Sequence, residues 1–192
     1  LMIAIINFVN FADGLDGLLT GCLIIALLCA VINYRDAQPL SCIVGALLGF
    51  LPWNWSPAKV FMGDVGSLFL GVAFSGTIFY LSTSESLYIS ASFLLVMTPL
   101  FADASLCLIY RLISRQSIFQ AHRLHLYQRL NQAGWSHSHV STLYIINTSL
   151  LAFAFLKSSF YVLILLCFAS IALGFYLHFT YAAPLPPKTL LK

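Results

Sequence analysis

Charge is what this chain has least of. Asp, Glu, Lys and Arg make up 8% of its 192 residues, six acids against nine bases. Soluble domains carry roughly a quarter, so no water-facing surface can be built from this composition. No C-x-x-C pair occurs among the five cysteines, which all fall in apolar stretches and read as buried small hydrophobes. Residues 1–10 have neither a basic leader nor a small-residue cleavage site, so nothing resembles a cleavable signal peptide. The bases lie between apolar runs rather than on one face, and the net charge of +3 therefore gives no reason to expect nucleic acid. No internal repeat or low-complexity segment stands out.

What is there is apolar. Hydrophobic residues make up 60% of the chain, mean hydropathy is +0.93, and runs near the ~20-residue spanning length recur. Apolar spans fall at 1–12, 18–34, 40–52, 66–82, 87–110, 140–156 and 160–181. The expected fold is all-α: one integral membrane bundle over residues 1–192, with about six full transmembrane helices and an incomplete first span. Span 40–52 is short and can run on past Pro52, and Pro99 should kink the fifth span. The "PLPPK" tail reads as lying outside the membrane.

Alternating the spans sorts the loops into two sides. One receives Lys59, Arg111, Arg115, Arg123, Arg129, Lys188 and Lys192; the other receives Arg35 and Lys157. By the positive-inside rule the first side is cytoplasmic. Asp13, Asp16, Asp64 and Asp103 then fall at or near cytoplasmic span ends, with every histidine but His178 in the loop 111–139 of the same side. Ionisable residues in a membrane cost about 2.5–3.5 kcal/mol at its centre even on the lenient insertion scale, so they need a reason.

Three stretches carry them. In "NFVNFADGLDG", Asn7, Asn10, Asp13 and Asp16 recur at three-residue steps, and Gly14 and Gly17 would let the chain unwind and bring amides and carboxylates together. Such oxygens suit a hard Mg²⁺ ion; the plainer alternative makes Asp13 or Asp16 the N-cap of the next helix. In "KVFMGDVGSLFLG", Asp64 lies between Gly63 and Gly66, with room for a metal and a diphosphate, and Ser67 is expected to cap the following helix. In "QAHRLHLYQRL", a helix would line His122, His125 and Arg129 along one face with Arg123 beside it, a phosphate-donating set. Attraction to anionic lipid heads accounts for Arg111 and Arg115. Zinc on His122 and His125 lacks a nearby Cys to complete it. His137 and His139 stay unassigned, and Asp103 reads as a helix-end or buried hydrogen-bond partner.

Together, "NxxNxxDGLDGL", "FMGDxGSLFLG" and a His-rich loop ending in "GW" resemble the polyprenyl-phosphate N-acetylhexosamine-1-phosphate transferases. "AHRLHLYQRLNQAGW" is most similar to the O-antigen-initiating branch of that family. The resemblance implies transfer of a sugar-1-phosphate from a UDP-sugar to undecaprenyl phosphate with release of UMP, in the bacterial inner membrane with the active site on its cytoplasmic face. It implies Mg²⁺, with Mn²⁺ as an alternative, held by Asp64 with Asn10. Asp13 and Asp16 would border the nucleotide or metal side, and His122, Arg123 and His125 would hold the donor phosphates. Asn7 and Arg129 complete the expected substrate-binding set, and a homodimer is compatible with it. The family's earlier Asp-Asp motif has no counterpart, because no two aspartates are adjacent in this sequence. The expectation is that the chain is the C-terminal portion of a longer enzyme and inactive alone. A remnant without catalysis and an ion-coupled transporter are the rival readings. The transporter is disfavoured because the acids sit at span ends and no second half is visible.

Overall fold

Continuous apolar stretches interrupted by short Gly- and Pro-containing segments fold into helices joined by tight turns. The computed structural model describes residues 1–116, 122–157 and 159–185. Lys188, Lys192 and most of the Pro-rich tail lie outside the described residues, as do Gln120 and Ala121 of the third motif.

Nine helices follow in order among the described residues: α1 Met2–Phe11, α2 Leu18–Asn33, α3 Leu40–Asn54, α4 Gly63–Ser84, α5 Leu87–Leu95, α6 Thr98–Ile113, α7 Leu126–Gln132, α8 His137–Leu156 and α9 Phe160–Thr180. The protein is a polytopic helical membrane bundle. Helices α4, α8 and α9 are long and apolar enough to span, and α5 with α6 makes a fourth candidate broken by a 77° bend. The expectation of about six full spans is therefore not met by length alone. Helix α2 has 16 residues and α3 has 15, about 24 and 22 Å at 1.5 Å per residue. Both stop short where the chain leaves the helix to form segments 13–17 and 55–62. The expected kink at Pro99 is instead a break at Val96 and Met97, with Pro99 in the first turn of α6, where its missing N–H costs no helical bond.

Helix α2 is the buried centre: Leu18–Leu23 are all buried, and it packs on α3 and α8. A helix that is apolar all round belongs in such a position. Helix α9 turns Leu165, Phe168, Phe175 and Phe179 outward, as a lipid-facing helix must. Cys42 is also exposed, whereas Cys22, Cys29, Cys107 and Cys167 are buried as expected.

Polar contacts separate the two ends of the bundle. At one end Tyr80 donates to Asp36 across the turns 34–39 and 84–86 (2.7 Å). At the other, Asp16 accepts from the Ala58 backbone (3.1 Å), and the Tyr127 hydroxyl donates to the Phe11 carbonyl. Segments 13–17, 55–62 and 122–136 thus meet at one end.

Helices α1 and α4 pack in extensive contact, and Gly71 is what lets them. A Cβ there would stand 2.9 Å from the Ile6 Cα, a small-residue approach of the kind that joins membrane helices. Gly76 lies in the same helix with open space around it. Gly71→Val is expected to destabilise the folded bundle by about 1–3 kcal/mol through overpacking. Gly76→Ala is expected to be neutral or to stabilise by up to about 1 kcal/mol. Thermal unfolding in detergent distinguishes the two.

Candidate functional site

The close approach at Gly71 sets the register of the first cluster. Helices α1 and α4 run in opposite directions, so Asn10, one turn beyond Ile6, meets Ser67, one turn before Gly71. Asn10 Nδ2 donates to Ser67 Oγ (2.8 Å) and to Asp64 Oδ1 (3.2 Å). Ser67 is buried inside α4 and donates back to the carbonyls of Gly63 or Asp64. It is not the N-cap expected from the sequence: α4 begins at Gly63, so Met62 holds that position. Asp64 is exposed in the first turn, where the helix dipole favours its charge.

Helix α1 ends at Phe11 and the chain unwinds across Asp13–Gly17, as the two glycines suggested. Gly17 has φ 72° and a Cβ there would strike the Trp55 ring. It is also the N-cap of α2, so neither aspartate is. Asp13 is half-buried beside Asp64. Burial first, then the Asp64 charge, raises its pKa to about 6, against a backbone hydrogen bond from Gly63. Among the described residues neither Asp13 nor Asp64 has an ion-pair partner. Two adjacent, unneutralised carboxylates with an amide between helices are oxygen donors that fit a hard divalent cation.

Asp16 faces elsewhere. Its Oδ2 accepts from Ala58 N and lies 3.2 Å from His137 Nδ1, while its carbonyl accepts from Ser141. It ties segment 55–62 to the start of α8. Nearby, Asn54 is buried and accepts from Gly17 N and Thr20 Oγ1 while donating to the Val60 carbonyl. Asn7 is exposed and, among the described residues, donates only back to the Ile3 carbonyl of its own helix (2.8 Å).

The third stretch is not the single helix expected. Residues 122–125 are irregular and α7 starts only at Leu126, so His122, His125 and Arg129 do not share a face. Asp103 supplies what α7 needs at its start: its carboxylate accepts from Leu126 N (2.7 Å), Tyr127 N (3.2 Å) and Tyr144 Oη (2.9 Å). The buried His125 ring lies 3.6 Å from Asp103 and stacks on Tyr127 at 5.2 Å. Tyr127 in turn covers Gly14, where a Cβ would meet its hydroxyl at 2.6 Å. Burial, with Asp103's charge behind it, pushes the Tyr127 phenol well above its usual pKa, so it stays a neutral donor. His125 is thereby held against the Phe11–Gly14 turn that carries Asp13, with the His122 ring beside it at 5.1 Å.

The arginines divide. Arg123 is exposed and available to an anion. Arg129 is buried and turned away, donating to the Ala183 carbonyl (2.7 Å) and to His178 Nδ1 (2.8 Å). In this structure it fastens α7 to the end of α9 instead of facing the acids. Arg111 is likewise buried in α6, which does not fit attraction to lipid heads. A mostly apolar cavity of about 210 Å³ lies behind Asp103, between α6, α8 and α9. The carboxylate cluster, by contrast, is an open edge.

Fold and site together define a helical membrane protein whose acids, amides and imidazoles converge at one end of its bundle. Residues 1–82 match the family model described as glycosyl transferase family 4. It is 33% identical to the decaprenyl-phosphate N-acetylglucosaminephosphotransferase of Mycobacterium tuberculosis, across 84% of this chain and 46% of that protein. It is 35% identical to a probable undecaprenyl-phosphate N-acetylglucosaminyl 1-phosphate transferase of Bacillus subtilis, across 71% of this chain and 40% of that protein. It is 40% identical to the phospho-N-acetylmuramoyl-pentapeptide-transferase of Staphylococcus epidermidis, across 72% and 43%. The chain spans a little under half the length of these curated relatives.

Asp103→Ala leaves three donors without their acceptor. It is expected to cost at least about 1–3 kcal/mol and to speed hydrogen exchange at the Leu126 and Tyr127 amides, with little change in α4. Tyr144→Phe removes one donor and is expected to be milder in both measurements.

Proposed function

We propose that this chain carries the polar site of a sugar-1-phosphate transferase acting on a polyprenyl phosphate. The donor is a UDP-N-acetylhexosamine, the acceptor undecaprenyl phosphate and the leaving group UMP. In the transfer, an oxygen of the lipid phosphate forms a bond to the donor's sugar-bearing phosphorus, and the bond from that phosphorus to the bridging oxygen of UMP breaks. The observation that carries the reading is the Asn10–Asp64–Ser67 cluster with Asp13 beside it, at the end of the bundle where the histidine segment docks. Two of the relatives named above, those of Mycobacterium tuberculosis and Bacillus subtilis, act by their names on polyprenyl phosphates, and the motif order supports the same chemistry.

Phosphoryl transfer between two anions needs charge neutralisation and in-line positioning more than covalent chemistry. Mg²⁺, held by Asp64 and Asp13 with Asn10 orienting Asp64, supplies that neutralisation when bound. Asn10 fixes Asp64 through a hydrogen bond and is itself fixed by Ser67. Arg123 and the half-buried His122 present donors to the phosphates of the nucleotide sugar, and His125 backs them from the buried side. Asp16, on this reading, positions segment 55–62 through Ala58 and His137. The excess of basic residues in the loops of this end supports a site at the cytoplasmic face of the bacterial inner membrane.

The test uses membranes containing the chain extended to the length of the relatives it matches, with undecaprenyl phosphate, Mg²⁺ and radiolabelled UDP-N-acetylglucosamine. Label is expected to enter the lipid phase and to be abolished by EDTA. Asp64→Asn is expected to lower the rate by about a hundredfold or more, and His122→Ala to raise the donor KM or lower kcat several-fold. Transfer that persists in Asp64→Asn contradicts the role given to that carboxylate, and lipid label unaffected by EDTA contradicts the role of the metal.

A further inference from the structure

The sequence offers His122 and His125 no cysteine nearby, but the fold does. Cys107 comes from α6, and its Sγ lies 4.0 Å from His122 Nδ1. One donor atom from each of Cys107, His122 and His125 lies within 4.8 Å of the other two. We propose that these three side chains form a binding site for a borderline-soft divalent cation, Zn²⁺ foremost, distinct in chemistry from the carboxylate cluster on α1 and α4.

The donor set decides which ion is taken. A thiolate with two imidazoles selects zinc-like ions, whereas carboxylate and amide oxygens suit Mg²⁺. Bond lengths of about 2.0–2.1 Å to nitrogen and 2.3 Å to sulfur put tetrahedral ligands about 3.4–3.6 Å apart. The observed spacings, 4.0 Å between Cys107 and His122 and at most 4.8 Å within the group, must therefore contract by roughly 0.4 to 1.4 Å.

Two of the ligands are anchored. Cys107 is buried in α6, and His125 is buried at the entry to α7, whose first amides Asp103 holds. His122 is half-buried on the irregular backbone 122–125, so its ring can supply the movement. A second observation points the same way. His125 Nδ1 is buried without a hydrogen-bond partner, and the nearest carboxylate oxygen is that of Asp103 at 3.6 Å. A carboxylate next to a ligating imidazole is the usual support that fixes ring orientation and strengthens the ligand. Binding displaces the thiol proton to solvent, and three protein ligands leave the fourth position open to water or an anion.

The consequence for turnover rests on the function proposed above. Zinc bound here takes the two imidazoles away from the donor phosphates, and so inhibits transfer in competition with the UDP-sugar.

The binding test needs no turnover. Co²⁺, which reports thiolate ligation by a charge-transfer absorption band, is titrated into the detergent-solubilised chain and then displaced by Zn²⁺. The band is expected in the wild-type chain and in Cys42→Ser, and is expected to vanish in Cys107→Ser and His122→Ala. No band in the folded wild-type chain, or an unchanged band in Cys107→Ser, overturns the site. If Cys107→Ser does not fold, an unchanged band in His122→Ala overturns it as well. Where transfer is measured, Zn²⁺ inhibition that is equal in the wild type and Cys107→Ser overturns the inhibitory role. The cobalt band decides the metal site whether or not lipid label appears.

Discussion

One buried carboxylate holds the two halves of the site together. Asp103 sits inside a membrane helix, where an unsatisfied charge is costly, and three hydrogen bonds offset that cost. Two of them come from the first amides of α7, a helix of seven residues that is too short to stand without outside partners. Because those amides are held, Tyr127 lands on Gly14, His125 stacks behind it, and the histidine segment stays docked against the turn that carries Asp13. Without Asp103 the acids and the imidazoles would belong to separate loops.

The other constraint is steric. Gly71 brings the α1 and α4 backbones into contact at Ile6, and the opposed directions of the two helices then deliver Asn10 to Asp64 and Ser67. A bundle that must cross lipid has few ways to place like charges side by side. This one does so where helices end and the chain unwinds, at Asp13–Gly17 and in the first turn of α4. The raised pKa of Asp13 follows from the same placement: the carboxylate is half-buried beside a second one, with no cation from the described residues to relieve it.

Much of this was legible in the sequence, because apolar runs and Gly-Asp spacing are local signals. The helix positions followed from the runs, the unwinding after Asp13 from Gly14 and Gly17, and the hydrogen-bonding role of Asp103 from its place inside a span. What stayed hidden depends on which distant residue arrives. Asp16 was grouped with Asp13 by spacing, yet a turn that is not helical sends it to Ala58 and His137. Arg129 shared a notional face with His122 until α7 began four residues later and turned it to His178. Helical periodicity has no meaning across residues 122–125, and no local pattern announces Cys107 as a neighbour of His122. Helices α2 and α3 fell short of full spans for a related reason: the residues missing from their lengths are those that build the site.

In the proposed site, carboxylates from the α1–α2 turn and α4 hold one hard cation beside a histidine segment that reads the donor. Electron paramagnetic resonance of Mn²⁺ titrated into the detergent-solubilised chain tests it without requiring turnover. Bound Mn²⁺ is expected, displaced by Mg²⁺ and lost in Asp64→Asn. Added UDP-N-acetylglucosamine is expected to change the spectrum in the wild-type chain and not in His122→Ala. Mn²⁺ bound with unchanged affinity in Asp64→Asn would contradict the account.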